Sequence, residues 1–84
     1  MSQQPPEQPA PALLRRGDSG QEVAELQQRL TEVWLYGGPA DGQYGDGVED
    51  AVRVFQWDRD VRGDPEGVYG PNTRRALESE TSEP

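Results

Sequence analysis

Eighty-four residues with 16 acids, 8 arginines, no lysine and a formal net charge of −8 make one small domain at most. That charge repels phosphate backbones and anionic bilayers, which argues against nucleic acid as a partner, and no apolar run approaches the roughly 18 residues of a membrane span. With neither cysteine nor histidine the chain offers no disulfide, no thiolate or imidazole zinc site and no nucleophile–histidine pair, so no cofactor and no metal is expected.

Residues 1–12 are rich in proline, glutamine and glutamate with little to bury, and read as a disordered tail or linker without the basic and apolar regions of a signal peptide. The foldable part is 13–78. Arg15-Arg16-Gly17-Asp18 reads as a solvated turn. Ser19, with Glu22 three residues on, fits a capping box for a first helix over about 20–35. Val23, Leu26, Leu30 and Val33 share one face of that helix, and Gly37-Gly38-Pro39 is expected to end it through a left-handed glycine.

Asp41-Gly42-Gln43-Tyr44-Gly45 then turns the chain into a second helix, and Glu66-Gly67-Val68-Tyr69-Gly70 does the same 25 residues later. The correspondence continues from Ala51-Val52 to Ala76-Leu77, and a fainter copy sets Gly20 and Val23 against Gly45 and Val48, which makes an internal repeat of about 25 residues. Helix two carries Val48, Ala51, Val52 and Phe55 on its inner face, while Trp57, about 200° round from Phe55, projects away from it. Helix three opens with Gly70 as cap and Pro71 at the first position, and packs through Ala76 and Leu77. No strand of useful length competes, although Gln43-Tyr44 and Val68-Tyr69 are available to pair where the two loops meet. Residues 79–84 read as an acidic tail. The expected fold is all-α, a small three-helix orthogonal bundle built on the repeat.

These residues resemble the three-helix peptidoglycan-binding domain found beside bacterial cell-wall hydrolases. The resemblance rests on Gly17, Gly20, Val23, Leu26-Gln27 and Leu30, then Asp41-Gly42, Tyr44-Gly45, Ala51-Val52 and Phe55-Gln56, then Glu66-Gly67, Gly70, Thr73 and Ala76-Leu77. Three pieces in order at the right spacing cover nearly the whole foldable chain. Val48 departs from the family's threonine, and Asp60 stands where the family often has glycine. What the resemblance implies is a non-catalytic module that binds cell-wall peptidoglycan, through stem peptide or glycan, as a monomer linked to a catalytic domain. It also implies a cell-envelope or extracellular location for an exported parent, and otherwise a cytoplasmic one. The alternative is a protein-interaction or regulatory domain that keeps the fold without wall binding, a reading the acidic surface favours.

Sixteen acids place carboxylates side by side by chance, and the repeated loop lacks the alternating acids of a calcium site, so no catalytic or metal role is assigned. Gln27 and Gln56 are expected to tie loops to helices, with ligand contact as a second use. Aromatic rings with polar tips suit sugars and peptide stems. The expected ligand groove is therefore Tyr36, Tyr44, Gln56, Trp57, Arg59 and Tyr69. Arg53 and Arg59 are expected to pair with Asp50 or Asp58, with a stem-peptide carboxylate as the alternative partner.

Overall fold

In the computed structural model the described residues are 13–82, and the expected N-terminal tail lies outside them. Three helices follow in order: α1 (Gln21–Glu32), α2 (Asp46–Asp58) and α3 (Pro71–Glu80). Their starts recur every 25 residues, each behind a glycine N-cap, Gly20, Gly45 and Gly70. The core is continuous across them, with Val23, Leu26, Leu30, Val52, Phe55 and Leu77 all at 1% exposure or less.

Between the helices the described chain has two isolated antiparallel bridges and no strand, Leu14 with Tyr69 and Ser19 with Gln43. The two repeated loops do not pair with each other as expected. Each instead takes the N-terminal segment as its backbone partner: Leu14 and Tyr69 exchange two N–H to carbonyl bonds (3.0 and 2.9 Å), while Gly17 and Gly20 donate to Tyr44 and Gly42. Because Ser19 is committed to this bridge, it does not cap α1. Gly20 does so, at φ +128, and no side chain caps the helix.

Helix α1 ends three residues earlier than the sequence suggests, and not through a glycine. Trp34 adopts φ +65, its N–H reaches the Thr31 carbonyl (3.0 Å), and the Leu35 N–H reaches that of Leu30 (3.0 Å). These two bonds make a Schellman motif with tryptophan at the left-handed position. Helix α2 ends the same way, with Asp60 at φ +55 and the N–H groups of Asp60 and Val61 donating to Trp57 and Gln56. Residues 79–82, read as tail, belong to the packed unit: α3 runs to Glu80, Arg29 donates to Thr81, and the Ser82 N–H donates to Glu32.

Candidate functional site

Three of the six expected site residues are interior. Tyr44 and Tyr69 are 2% and 3% exposed and fill the hub where the loops meet the N-terminal segment. The Tyr44 hydroxyl donates to the Gly67 carbonyl at 2.7 Å, joining one loop to the other. Burial raises the pKa of both phenols, Tyr69 to about 12, so they are hydroxyl donors across the physiological range. Gln56 is 5% exposed. Its Oε1 accepts the Gly67 N–H, and its Nε2 faces Pro65 O, Val68 O and Thr73 Oγ1 at 3.0–3.1 Å. Every polar atom of that side chain is thus used inside the fold.

The other three reach the surface in three different grooves. The first groove, of about 490 Å³, is walled by Leu35 to Gly38 on one side and by Gly47, Asp50, Ala51 and Val54 of α2 on the other. Tyr36 lies within it, with its hydroxyl donating to Pro39 O at 2.9 Å and accepting from Gln27 Nε2 at 3.2 Å. Gly47 faces the ring: a Cβ there would sit 3.4 Å from it, at ordinary contact.

Trp57 edges the second groove, of about 340 Å³, with Asp60, Asp64 and Glu66. Its indole N–H donates to Glu66 at 3.1 Å, while most of the ring stays in solvent at 70% exposure. Arg59 edges the third groove, of about 490 Å³, but its guanidinium is already forked onto Glu80 (2.5 and 2.6 Å) and paired with Asp58. The Glu80 hydrogen bond holds the Arg59 pKa up, and the same bond holds the Glu80 carboxyl below its usual range. Arg53 pairs with Asp50, as its spacing suggested.

Sequence reasoning missed Val54 and undervalued Trp34. Among the described residues the exposed large hydrophobics are Trp34 (91%), Val54 (41%) and Trp57. Val54 and Trp57 are three apart on α2 and so share a face. Trp34 directly precedes Leu35, which lines the first groove. The signal was in the helical spacing, since Val54 falls outside the 48, 51, 52, 55 stripe.

A small helical module whose buried glutamines serve its own loops, with grooves and solvent-facing aromatics outside, has the form of a binding domain. The chain belongs to the peptidoglycan binding domain family, whose model matches residues 19–77. Over 65 residues, 77% of this chain, it is 40% identical to the spore cortex-lytic enzyme of Bacillus subtilis (strain 168), of which it covers 21%. Among solved structures it is similar to the SleB N-terminal domain, with a TM-score of 0.76, 37% identity, and coverage of 83% of this chain and 93% of that one. It is also similar to an L,D-transpeptidase from Xylanimonas cellulosilytica DSM 15894, with a TM-score of 0.75 and 41% identity over 90% of this chain and 36% of that one. The chain spans about a fifth of the length of the curated relatives it matches. The three-helix, all-helical fold expected from the repeat is the fold of the family.

Proposed function

We propose that this chain is the non-catalytic wall-binding module of a cell-envelope protein, binding peptidoglycan as a monomer and holding a linked catalytic domain near its substrate. The observation that carries the reading is the distribution of exposed apolar side chains. A core this small leaves out Trp34, Val54 and Trp57; Val54 lines the Tyr36 groove and shares a face of α2 with Trp57, which edges the second groove. Exposed aromatic and aliphatic surface along a groove suits the apolar faces of sugars and the backbone of a stem peptide. The contact surface is then Tyr36, Val54 and Trp57, with the exposed Trp34 next to the groove residue Leu35 as a further contact. Tyr44, Tyr69 and Gln56 support it from inside.

Cosedimentation with insoluble peptidoglycan tests the proposal. The wild type is expected in the pellet, and Val54→Asp and Trp57→Ala are expected largely in the supernatant while keeping helical circular dichroism. A wild type that stays soluble at every salt concentration would reject wall binding and leave a protein-interaction role for the fold.

A further inference from the structure

The first and third grooves are copies of each other with inverted chemistry. On the helix side, Gly47, Asp50, Ala51 and Val54 correspond through the 25-residue repeat to Asn72, Arg75, Ala76 and Ser79. On the other side the Schellman motifs set the correspondence: Leu35 and Tyr36 follow the left-handed Trp34, and Val61 and Arg62 follow the left-handed Asp60. The two grooves have the same volume, about 490 Å³. Where the first presents a tyrosine, a valine and an aspartate, the third presents Arg62, Ser79 and Arg75.

We propose that this third groove is a separate site for a peptide carboxylate, read by Arg62 and Arg75, and that its ligand is the stem peptide of the peptidoglycan bound at the first groove. The proposal rests on the wall-binding reading for the source of the carboxylate, and on the groove's own geometry for its chemistry. Three of the chain's eight arginines line this one groove, although the net charge is −8. They are not equally engaged. Arg59 is held by Glu80 and Asp58 and forms a fixed wall. Arg62 meets Asp60 at 3.0 Å with both side chains more than 75% exposed, an ion pair that an incoming carboxylate can exchange.

Arg75 has no carboxylate partner among the described residues; its hydrogen bond is to Asn72 Oδ1 at 3.3 Å. The same Asn72 donates through Nδ2 to the Arg62 carbonyl at 2.8 Å. One side chain therefore ties the groove's two walls together and tethers a guanidinium of its lining. Planar guanidinium forks match a carboxylate with two parallel N–H to oxygen bonds. A wall ligand rich in carboxylates is thereby met by one guanidinium without a carboxylate partner and a second in an exposed, exchangeable ion pair, on a chain that would otherwise repel it.

The test is a titration of the isotope-labelled chain, followed by amide NMR, with a soluble muropeptide carrying free stem carboxylates and with the same compound amidated. The free form is expected to move the amides of Asn72, Arg75, Ala76 and Ser79 as well as those of Gly47 to Val54. The amidated form is expected to move only the latter. The double variant R62Q/R75Q is expected to bind the free form about tenfold more weakly and the amidated form unchanged. Affinity for the free form alone should fall as salt rises. If the free form leaves the third groove unmoved, or the double variant binds it as the wild type does, the carboxylate site is overturned. Wall binding itself is decided separately, by cosedimentation.

Discussion

Gln27 and Gln56 do the same work on two different loops: Oε1 of each accepts the N–H of a loop glycine, Gly42 or Gly67, at 2.8 Å. Both also donate through Nε2 to the carbonyl of the next loop residue, Gln43 or Val68. They stand 29 residues apart in a chain whose helix starts recur every 25, so the second glutamine sits about one helical turn further along its helix. The loops are shaped by the amides inside them as much as by their own glycines.

Replacing either glutamine by leucine therefore strands a buried N–H and at least one carbonyl. At about 1–3 kcal/mol for each unsatisfied group, Gln56→Leu is expected to cost about 2–6 kcal/mol. That corresponds to a Tm lower by about 10 °C or more in a domain of this size. Thermal melts by circular dichroism measure it, and a loss below about 0.5 kcal/mol would mean that water or a loop shift satisfies the freed groups.

Trp34 sits in the left-handed region with 91% of its surface in solvent, so its backbone strain gains no packing in return. A bulky residue there costs about 1–2 kcal/mol. Trp34→Gly is expected to raise stability by about 1 kcal/mol once the greater freedom of glycine in the unfolded chain is subtracted. The same variant is expected to weaken retention on insoluble peptidoglycan. Melting and cosedimentation read on one sample separate the two effects. A variant that gains stability and loses no retention would remove Trp34 from the contact surface.

What was legible in the sequence follows from this contrast. The Gly70 cap, the period and the stripe of Val48, Ala51, Val52 and Phe55 are local signals, and each reappears in the fold. The end of α1 was not legible, because Gly37 and Gly38 are the better left-handed residues and tryptophan at that position breaks the local rule. Nor was the N-cap, since Ser19 is drawn away by a bridge to Gln43 that only tertiary contact creates. The site was misjudged for a related reason. Aromatic rings with polar tips read as ligand surface, yet Tyr44 and Tyr69 are buried because backbone carbonyl and ring contacts take them in, Gly67 O for one and the Arg74 guanidinium, 5.4 Å from the ring centre, for the other. Splitting the remainder among three grooves depended on where α2 turns its faces.

Those two buried phenols set the alkaline limit. In the unfolded chain they ionise near pH 10. In the fold Tyr69 is pushed up to about 12 by burial, and Tyr44 is raised by burial and by the nearby Glu49 carboxylate. The folded state thus keeps protons that the unfolded state has lost, so their contribution is intact below about pH 10 and declines as pH rises through the folded value. Urea midpoints at several pH values above 9 should fall steadily, and Tyr69→Phe should flatten the decline. Asp41 and Glu80 act with the opposite sign. Hydrogen bonds from Gln27 and from Arg59 lower their pKa values, so their contribution is present above the ordinary carboxylate range and is lost as pH falls below it.

Gly47 offers a way to separate binding from stability at the first groove. It lies in the first turn of α2, is exposed, and faces the Tyr36 ring. Alanine there exchanges the poorest non-proline helix former for the best, worth about 0.5–1 kcal/mol. Its methyl would meet the ring at 3.4 Å, close to ordinary contact, so little of that gain is returned as strain. Gly47→Ala is therefore expected to melt a few degrees higher than the wild type. A longer side chain at the same position, Gly47→Leu, extends into the groove and is expected to keep the fold but reduce retention on insoluble peptidoglycan severalfold. If Gly47→Leu folds as the wild type and is retained equally well, the ligand does not enter the groove beside Tyr36, and the contact surface contracts to Val54 and Trp57 on the outer face of α2.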